Sequence, residues 1–260
     1  MKVALIQINA GSNKKTNINK AKEKVQIAAD QSTDFILLPE VFNYRGPLSG
    51  QELYNEIAEE IPGESLFSLM NIAKNNKLFI LAGSIYERAE DKSKIYNTSV
   101  LIDDSGIIIG KYRKINLFRA IINGKGIDEA NTYEAGDKPI VCKINGKKVG
   151  LSICFDLRFP ELYREYYRQG VDIIAIPSSF TTRTGQLHWD TLLRARAIEN
   201  YCYVLAPNQF GLDGNGVKTY GHSMIIDPQG RVIDALYKQE EGILMAELSF
   251  DNRIHYPSVN

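Results

Sequence analysis

Residues 149–161 read VGLSICFDLRFPE, and this stretch decides the fold. The run from Val149 to Ile153 is apolar and β-branched, which predicts a buried strand. A short turn follows, and Pro160 is well placed to begin a helix because its fixed φ suits the first helical turn. Strand, turn and helix in close succession are typical of a fold in which helices cover a sheet. Cys154 is therefore predicted to lie at the corner where the strand ends.

Similar apolar runs recur outward from this stretch in both directions. They predict strands at residues 3–8, 35–38, 78–84, 99–102, 107–111, 149–153, 172–176, 202–206, 223–226 and 243–248. Apolar residues at three- to four-residue steps predict helices at 18–28, 65–75, 161–169 and 189–200. Strands alternate with helices in the outer thirds and follow one another in the middle, which predicts an α/β fold of two packed sheets with helices outside. No linker or repeat interrupts the pattern, so we expect one domain over residues 1–260.

The composition excludes some classes of partner. The chain has 260 residues with 31 Lys and Arg against 31 Asp and Glu, so its formal net charge is +0. A neutral chain without a basic run lacks the electrostatic footprint of nucleic-acid binding. The first apolar run, at residues 3–6, is too short for a signal-peptide core or a membrane span. We therefore expect a cytoplasmic protein with no nucleic-acid and no membrane partner.

The three cysteines, Cys142, Cys154 and Cys202, are widely spaced and form no Cys-x-x-Cys pair. Neither a disulfide framework nor a zinc ribbon is indicated. A nucleophile at a strand-to-turn corner is lifted out of its sheet, and the next backbone N–H, that of Phe155, can face a developing oxyanion. A buried structural thiol is the alternative for Cys154. The other two cysteines lie in strand patterns and are interpreted as core residues.

A reactive thiol needs a base, and histidine is its usual partner. The three histidines, His188, His222 and His255, do not stand at metal-ligand spacing with Cys, Asp or Glu. A pairing of Cys154 with His222 stays open, although a turn-holding role suits His222 better.

A carboxylate is the other candidate base. Glu40 follows the apolar run 35–38, so it lies past the end of a buried strand, where ligands of α/β folds bind. Desolvation at such a position is expected to raise the pKa of Glu40 and let it exchange protons near neutral pH. Lys114 likewise lies at the end of a predicted strand, in the sequence IGKYRK at residues 109–114.

Three phrases resemble the Glu, Lys and Cys signatures of the nitrilase superfamily of carbon-nitrogen hydrolases. They are Pro39-Glu40 after its strand, KYRKINLF at 111–118, and the 149–161 stretch. Further phrases, such as PSSF at 177–180 and YGHS at 220–223, are most similar to the Nit-type amidases of that superfamily. The resemblance covers nearly the whole chain. It implies a four-layer α-β-β-α sandwich, often paired across its helical faces, so a homodimer or a higher homo-oligomer is expected.

The resemblance also implies a role for each signature residue. Cys154 would be the nucleophile, Glu40 the general base and later acid, and Lys114 the electrostatic partner of the oxyanion. Beside carboxylates the pKa of Lys114 should rise, which suits charge stabilisation better than proton abstraction. The family has a second glutamate after the lysine; Glu129 matches it better than Glu134 and would orient Lys114 and the substrate. No metal and no organic cofactor enters this chemistry.

Nit-type substrates carry a carboxylate beside the amide, so the pocket should supply a cation. Arg158 lies four residues after Cys154, and a guanidinium can grip a carboxylate with two hydrogen bonds. A structural ion pair of Arg158 with Asp156 or Glu161 is the alternative. Further candidates for substrate binding are Phe180, Thr184 and Tyr44.

Some positions depart from the Nit pattern. Asn116 and Arg119 stand where a His and an Asp are common, and Gln229 stands where Trp is common. These departures bear on specificity rather than on the chemistry. The predicted function is an amidase that hydrolyses a small carboxylate-bearing amide, of the deaminated glutathione or 2-oxo acid omega-amide type, to acid and ammonia through a Cys154 thioester. A nitrilase or a carbamoyl-amine hydrolase with the same residues is the alternative, and a non-catalytic binding protein of this fold is a third interpretation.

Overall fold

The structure is a computed structural model that describes residues 1–48, 50–122 and 125–250, with the backbone alone for residues 50, 120–122 and 125–127. Within these ranges the helices are α1 (Lys14–Ala29), α2 (Gly50–Glu52), α3 (Glu64–Asn76), α4 (Pro160–Arg168) and α5 (Thr182–Asn200). One π-helical turn covers Leu53–Ile57, and 3-10 turns cover Glu129–Asn131 and Cys154–Arg158. No helix in the described ranges is long and apolar enough to cross a bilayer.

The strands are numbered in the order in which the chain forms them. They are β1 (Lys2–Gln7), β2 (Phe35–Leu37), β3 (Phe79–Leu81), β4 (Ile85–Arg88), β5 (Ile95–Ile102), β6 (Ile108–Arg113), β7 (Arg119–Ile122), β8 (Lys125–Asp128), β9 (Ile140–Ile144), β10 (Lys147–Leu151), β11 (Ile173–Ala175), β12 (Tyr203–Ala206), β13 (Phe210–Leu212), β14 (Lys218–Tyr220), β15 (Met224–Ile226), β16 (Val232–Ala235) and β17 (Gly242–Glu247).

Two mixed sheets contain most of these strands. Sheet 1 has the order β17-β1-β2-β3-β5-β4, with β6 paired to β5, and sheet 2 has the order β16-β15-β12-β11-β10-β9. Strands β1, β2 and β3 are parallel, as are β10, β11 and β12. The carboxyl ends of these parallel strands are where ligands of such folds bind.

Alternation along β1 shows how the layers stack. Val3 and Leu5 pack in one apolar core with residues of sheet 2, while Ala4 and Ile6 pack in another core with residues of α1 and α3. Successive side chains of a strand point to opposite faces, so sheet 1 lies between the two helices and sheet 2. Residues of α4 and α5 continue the core on the far side of sheet 2. The expected α-β-β-α sandwich is confirmed.

Helix α5 begins earlier than its apolar stripe predicts. The stripe predicts a start at Trp189, but the helix begins at Thr182, with the Thr181 side chain accepting the Thr184 N–H as the cap. Gly185 in this first part has no side chain because the ring of Tyr220 occupies the space, and a Cβ would lie 2.3 Å from it. The extra turns bring the start of α5 to the candidate site.

Candidate active site

Glu40 reaches the joint between the two sheets just past the end of β2. The next residue, Val41, has a φ of 47°, a left-handed conformation that β-branched residues rarely adopt. The Val41 N–H donates to the Ser84 hydroxyl at 2.9 Å, and Gln209 Nε2 donates to the Glu40 carbonyl at 3.1 Å. These contacts hold the strained turn that directs the Glu40 carboxylate, 4% exposed, into the interior.

Lys114 follows β6 and places its ammonium between two carboxylates. Nζ lies 3.1 Å from Glu40 Oε1 and 3.0 Å from Glu129 Oε2, and the lysine is 1% exposed. Glu129 also accepts the Phe118 N–H at 2.7 Å. Because a buried charge is costly unless paired, the two acids and the lysine stabilise one another. The structure brings Glu40, Lys114 and Glu129 together, as the resemblance implies.

Cys154 begins the 3-10 turn that follows β10 and has a φ of 47°. Its own N–H donates to the Pro177 carbonyl at 3.0 Å, which anchors the corner to the strand end of β11. The Ser179 N–H donates to the sulfur, and the thiol shares a hydrogen bond with the Glu40 carboxylate. The predicted strand-to-turn corner is confirmed, and the carboxylate beside the sulfur is that of Glu40.

These groups set one another's protonation. Burial opposes a charge on Glu40, but Lys114 and Arg45, with hydrogen bonds from Cys154 and Lys114, outweigh it and lower the pKa of Glu40. The expectation that burial would raise the pKa of Glu40 was wrong, because attraction to the nearby cations and the hydrogen bonds together outweigh the cost of desolvation. The pKa of Lys114 lies well above its usual value, since Glu129 and Glu40 outweigh desolvation, as predicted. Burial and the charge of Glu40 raise the pKa of the Cys154 thiol well above its usual value. At neutral pH the site therefore holds a carboxylate, an ammonium and a neutral thiol.

Glu129 responds differently from Glu40 although both contact Lys114. Burial and the nearby charge of Glu40 raise the pKa of Glu129 against the pull of Lys114. Glu40 has the additional cation Arg45, whose guanidinium itself pairs with Asp213 at 2.8 Å. Glu40 and Glu129 both contact the Lys114 ammonium, but Arg45 additionally lowers the pKa of Glu40. Glu40 therefore stays ionised more readily than Glu129.

Two candidate donors for an oxyanion lie near the sulfur. Phe155 follows Cys154 in the 3-10 turn, and both residues line the same cavity as Lys114. The Lys114 ammonium interacts electrostatically with Cys154. A backbone N–H and an ammonium beside a thiol are groups from which an oxyanion hole can be built.

Asp156 clamps the turn that carries the nucleophile. It is fully buried, and its Oδ2 accepts the Tyr112 hydroxyl at 2.7 Å and the Ile153 N–H at 2.9 Å. Its Oδ1 accepts the backbone and side-chain N–H groups of Asn116, both at 2.9 Å. Tyr112 and Asn116 flank Lys114 in the sequence, so Asp156 ties the lysine segment to the cysteine turn. This is the observed role of the Asn116 departure.

Arg196 on α5 supports the same turn from the other side. Its Nε and one Nη donate to the Leu157 carbonyl at 3.1 and 2.8 Å, and its other Nη lies 2.7 Å from Glu199. Arg196 and Glu199 therefore have a structural role beside the cysteine turn.

One cavity of about 980 Å³ lies at the joint of the sheets. It is lined by Glu40, Lys114, Glu129 and Cys154. Its lining includes Glu40, Arg45, Asn97, Lys114, Arg119, Glu129, Tyr133, Cys154, Phe155, Arg158, Ser179, Phe180, Arg183, Thr184, His188 and Lys218. A cavity of this size accommodates a small organic substrate. Among the described residues, no group of three or more His, Cys, Asp or Glu is arranged to hold a metal ion.

Arg158 lies in the cavity with its charge available. Its guanidinium contacts His188 Nδ1 at 3.2 Å and lies over the rings of Phe155 and Phe180 at 5.7 and 5.6 Å. Across the described ranges Arg158 has no ion pair, so the alternative partners Asp156 and Glu161 are not observed. An unpaired guanidinium among aromatic rings is suited to bind a carboxylate. Phe180 and Thr184 line the same cavity.

Two predicted residues lie elsewhere. Tyr44 is 3% exposed, packs with Val41 and Leu53, and is not among the residues that line the cavity, so its role as a substrate contact stays a prediction. His222 stacks on Tyr220 with ring centroids 3.9 Å apart and does not line the cavity. It holds a turn, as expected. His255 lies outside the described residues.

Arg119 lines the cavity at an exposed position and pairs with Asp128 at 2.8 Å. Cys142 and Cys202 are buried in the core, as the strand patterns predicted.

Sequence reasoning missed Arg45, Asn97 and Ser179. Arg45 is five residues from Glu40, and Ser179 supplies only a backbone N–H. Asn97 stands beside Thr98 and Ser99 in β5, so its polarity did not set it apart in the sequence.

Comparisons with known proteins agree with this geometry. The sequence profile of the family described as carbon-nitrogen hydrolase matches residues 2–257. The chain is 37% identical over 256 residues to deaminated glutathione amidase of Dictyostelium discoideum, covering 96% of this chain and 88% of that protein. It is likewise 37% identical over 248 residues to omega-amidase NIT2 of Mus musculus, covering 95% of this chain and 88% of that protein.

A solved structure is similar throughout. It is a glutamate-to-glutamine mutant of the amidase from Nesterenkonia sp. AN1, in which acrylamide has added to the active-site cysteine by Michael addition. The TM-score is 0.82 at 25% identity, covering 96% of this chain and 93% of that chain.

Proposed function

This chain belongs to the carbon-nitrogen hydrolase family and is a thiol-dependent amidase, and we propose that Glu40, Lys114 and Cys154 form its catalytic set. One observation carries the proposal. An ionised Glu40 shares a hydrogen bond with the neutral Cys154 thiol, and the Lys114 ammonium lies beside both. Each group is in the protonation state that the first step needs.

In the first half-reaction Glu40 takes the thiol proton and the sulfur attacks the amide carbonyl. The oxyanion is stabilised by the Lys114 ammonium and the Phe155 N–H, a type of contact whose loss costs about 3–4 kcal/mol. The carbon–nitrogen bond then breaks, and Glu40 returns the proton to the leaving nitrogen, which departs as ammonia or as an amine.

In the second half-reaction water cleaves the Cys154 thioester. Glu40 takes a proton from water, and the oxygen adds to the thioester carbonyl through a second oxyanion. The carbon–sulfur bond breaks, the carboxylic acid leaves, and the proton returns to the sulfur. Glu129 keeps Lys114 in place throughout, supported by its two contacts with that ammonium at 3.0 and 3.2 Å.

The proposed substrate is a small amide with a carboxylate, of the deaminated glutathione or 2-oxo acid omega-amide type. The unpaired guanidinium of Arg158 supports this choice, since it lies in the cavity with Cys154. Phe180 supplies an apolar wall and Thr184 a hydroxyl. The proposed cycle uses no metal and no organic cofactor.

The test is a panel of substrates at matched concentration: deaminated glutathione, 2-oxo acid omega-amides, a nitrile and a carbamoyl amine. The wild type should convert a carboxylate-bearing amide to its acid, with a thioester on Cys154 detectable by mass spectrometry. Cys154→Ala and Glu40→Gln should lose this activity, and Cys142→Ala, which removes a core thiol, should keep it. Turnover by either site variant would contradict the proposed mechanism, and preference for the nitrile or carbamoyl compound would contradict the substrate.

We further propose a cytoplasmic homodimer formed by one domain over the whole chain. None of the three cysteines, all of which lie in the described ranges, is in a disulfide, and this supports a reducing compartment. The family match over residues 2–257 supports one domain. Exposed Leu187 and Ile198 on α5 support pairing through the outer helices. Light scattering on Ile198→Glu should show a monomer where the wild type is a dimer, and cell fractionation tests the location.

A further inference from the structure

Asn97 contacts both Glu40, the proposed base, and Lys114, whose ammonium lies beside it. Its Nδ2 donates to Glu40 Oε1 at 3.0 Å, and its backbone carbonyl accepts the Lys114 N–H at 2.9 Å. The residue lies on β5, is 1% exposed and lines the cavity. One strand residue therefore connects the base and the lysine, which are 74 positions apart in the sequence.

These contacts distinguish the two oxygens of the Glu40 carboxylate. Oε1 receives the Asn97 amide at 3.0 Å and the Lys114 ammonium at 3.1 Å. With two donors on Oε1, its lone pairs are engaged, and Oε2 is the oxygen left to accept a proton. The Cys154 thiol is the remaining group that shares a hydrogen bond with this carboxylate.

The orientation of the Asn97 amide has a cost. Its Oδ1 is buried and has no hydrogen-bond partner among the described residues. An unsatisfied buried acceptor is destabilising, and native structures retain such groups mainly where function requires them. An ionised Glu40 requires a donor on its side, so the amide cannot rotate to satisfy its oxygen instead.

We propose that Asn97 is a positioning residue that holds Glu40 Oε1 and thereby makes Oε2 the proton acceptor for Cys154. In the step it prepares, the sulfur–hydrogen bond breaks, the sulfur keeps the electron pair, and the proton forms a bond to Oε2. The inference rests on the proposed function, because it assigns an atom within the proposed base.

The test uses iodoacetamide, which alkylates the thiolate and needs no knowledge of the natural substrate. Alkylation of Cys154 in the full chain is followed by peptide mass spectrometry over a range of pH, with melting temperatures measured in parallel. Asn97→Leu keeps the shape of the side chain but removes the donor. Among the described residues, the charged and titratable groups that interact with Glu40 are Lys114, Arg45, Glu129, Cys154 and Tyr86.

Asn97→Leu should slow Cys154 alkylation about tenfold or more, because the carboxylate is no longer aligned. The acid limb of the pH profile should move to higher pH, because Glu40 has lost a donor to its charged form. The melting temperature should fall modestly, because a buried carboxylate loses a charge-assisted donor, so alkylation is compared at a temperature where the variant is folded. Ser99→Ala is the matched control, because it removes another buried oxygen of β5 that has no hydrogen-bond partner among the described residues. It should change neither the alkylation rate of Cys154 nor the acid limb of the pH profile.

Asn97→Asp is the second variant, in case the leucine variant does not fold. Its carboxylate faces Glu40 without a donor, so the acid limb should again move to higher pH. The inference is overturned if a folded Asn97 variant has the wild-type rate of Cys154 alkylation and the wild-type acid limb in its pH profile, while Glu40→Gln slows alkylation. If Glu40→Gln reacts like the wild type, the proposed base itself is wrong, which is a separate failure.

Discussion

The same residue type behaves differently at Cys142 and Cys154 because of what each thiol contacts. Burial alone raises the pKa of Cys142 to about 11, and that thiol lies in the core without a base beside it. Burial also raises the pKa of Cys154, but in the proposed mechanism Glu40 takes its proton and Lys114 stabilises the charge that follows. Reactivity at this scale depends on a partner that takes the proton during the reaction, and a resting thiolate is not needed.

The pH dependence of kcat/KM should follow Glu40. Its pKa is lowered in the folded protein, so the base is present at neutral pH and is lost only as pH falls through that lowered value. We expect kcat/KM to hold as the solution is acidified and to fall only below about pH 4.3, the ordinary glutamate pKa. Steady-state kinetics on the best amide tests this, with circular dichroism at each pH as the control for folding. An acid limb near pH 6 would contradict the assignment.

Arg158→Gln should weaken binding of acidic amides. The change removes a charge-assisted contact worth about 1.5–3 kcal/mol, so KM should rise about 10- to 100-fold while kcat changes little. Arg158→Lys keeps the charge but not the forked geometry and should give an intermediate KM. Amides without a carboxylate should be affected less. Equal losses on charged and uncharged amides would contradict a carboxylate-binding role.

At the scale of elements, the cysteine turn depends on contacts from outside itself. Asp156 ties it to the end of β6, and Arg196 ties it to α5. The turn has few hydrogen bonds of its own, so these buried side chains determine where Cys154 lies.

Asp156→Ala should destabilise the protein and reduce activity together. The change leaves the Tyr112 hydroxyl and the Ile153 and Asn116 N–H groups without their acceptor. We expect a loss of about 2–5 kcal/mol, which lowers the melting temperature by about 5–15 °C in a chain of this size. Calorimetry measures the shift, and Glu161→Ala on the exposed start of α4 is the control. A melting temperature equal to that of the control would contradict the clamp.

The strands and helices that sequence patterns identified are those with strong apolar periodicity. Strand β4 was missed because its tyrosine, glutamate and arginine read as polar, and the hairpin of β13 and β14 was missed because its strands are short. Glu40, Lys114 and Cys154 were identified because each follows a strand in a recognisable phrase. Asn97 and the Asp156 clamp were missed because their partners are 57 and 44 positions away, so tertiary contacts alone reveal them.

At the scale of the whole molecule, the site is divided between the sheets. Glu40, Asn97 and Lys114 come from sheet 1, whereas Cys154 and Arg158 follow a strand of sheet 2. The distance between base and nucleophile is therefore a property of how the two sheets pack.

A matched pair of cavity variants tests this dependence. Leu37 and Ile36 are adjacent, fully buried residues of β2, but Leu37 packs between the sheets and Ile36 packs under α1 and α3. Each change to Ala should cost about 2–5 kcal/mol of stability. At a temperature where both variants are folded, kcat should fall in Leu37→Ala and stay near wild type in Ile36→Ala. Equal kcat values in the two variants would show that sheet packing does not control the site.

The left-handed backbone at Cys154 has a consequence for how this sequence changes over generations. A side chain in that conformation costs about 1–2 kcal/mol, and glycine there would remove the cost while adding about 0.5–1 kcal/mol of chain entropy to be lost on folding. The backbone therefore gains nothing from a cysteine here, and what the fold gains is the packing of the sulfur against the core. Selection for turnover favours the strained cysteine, and a lineage released from that selection would be free to replace Cys154 while the sandwich around it persisted.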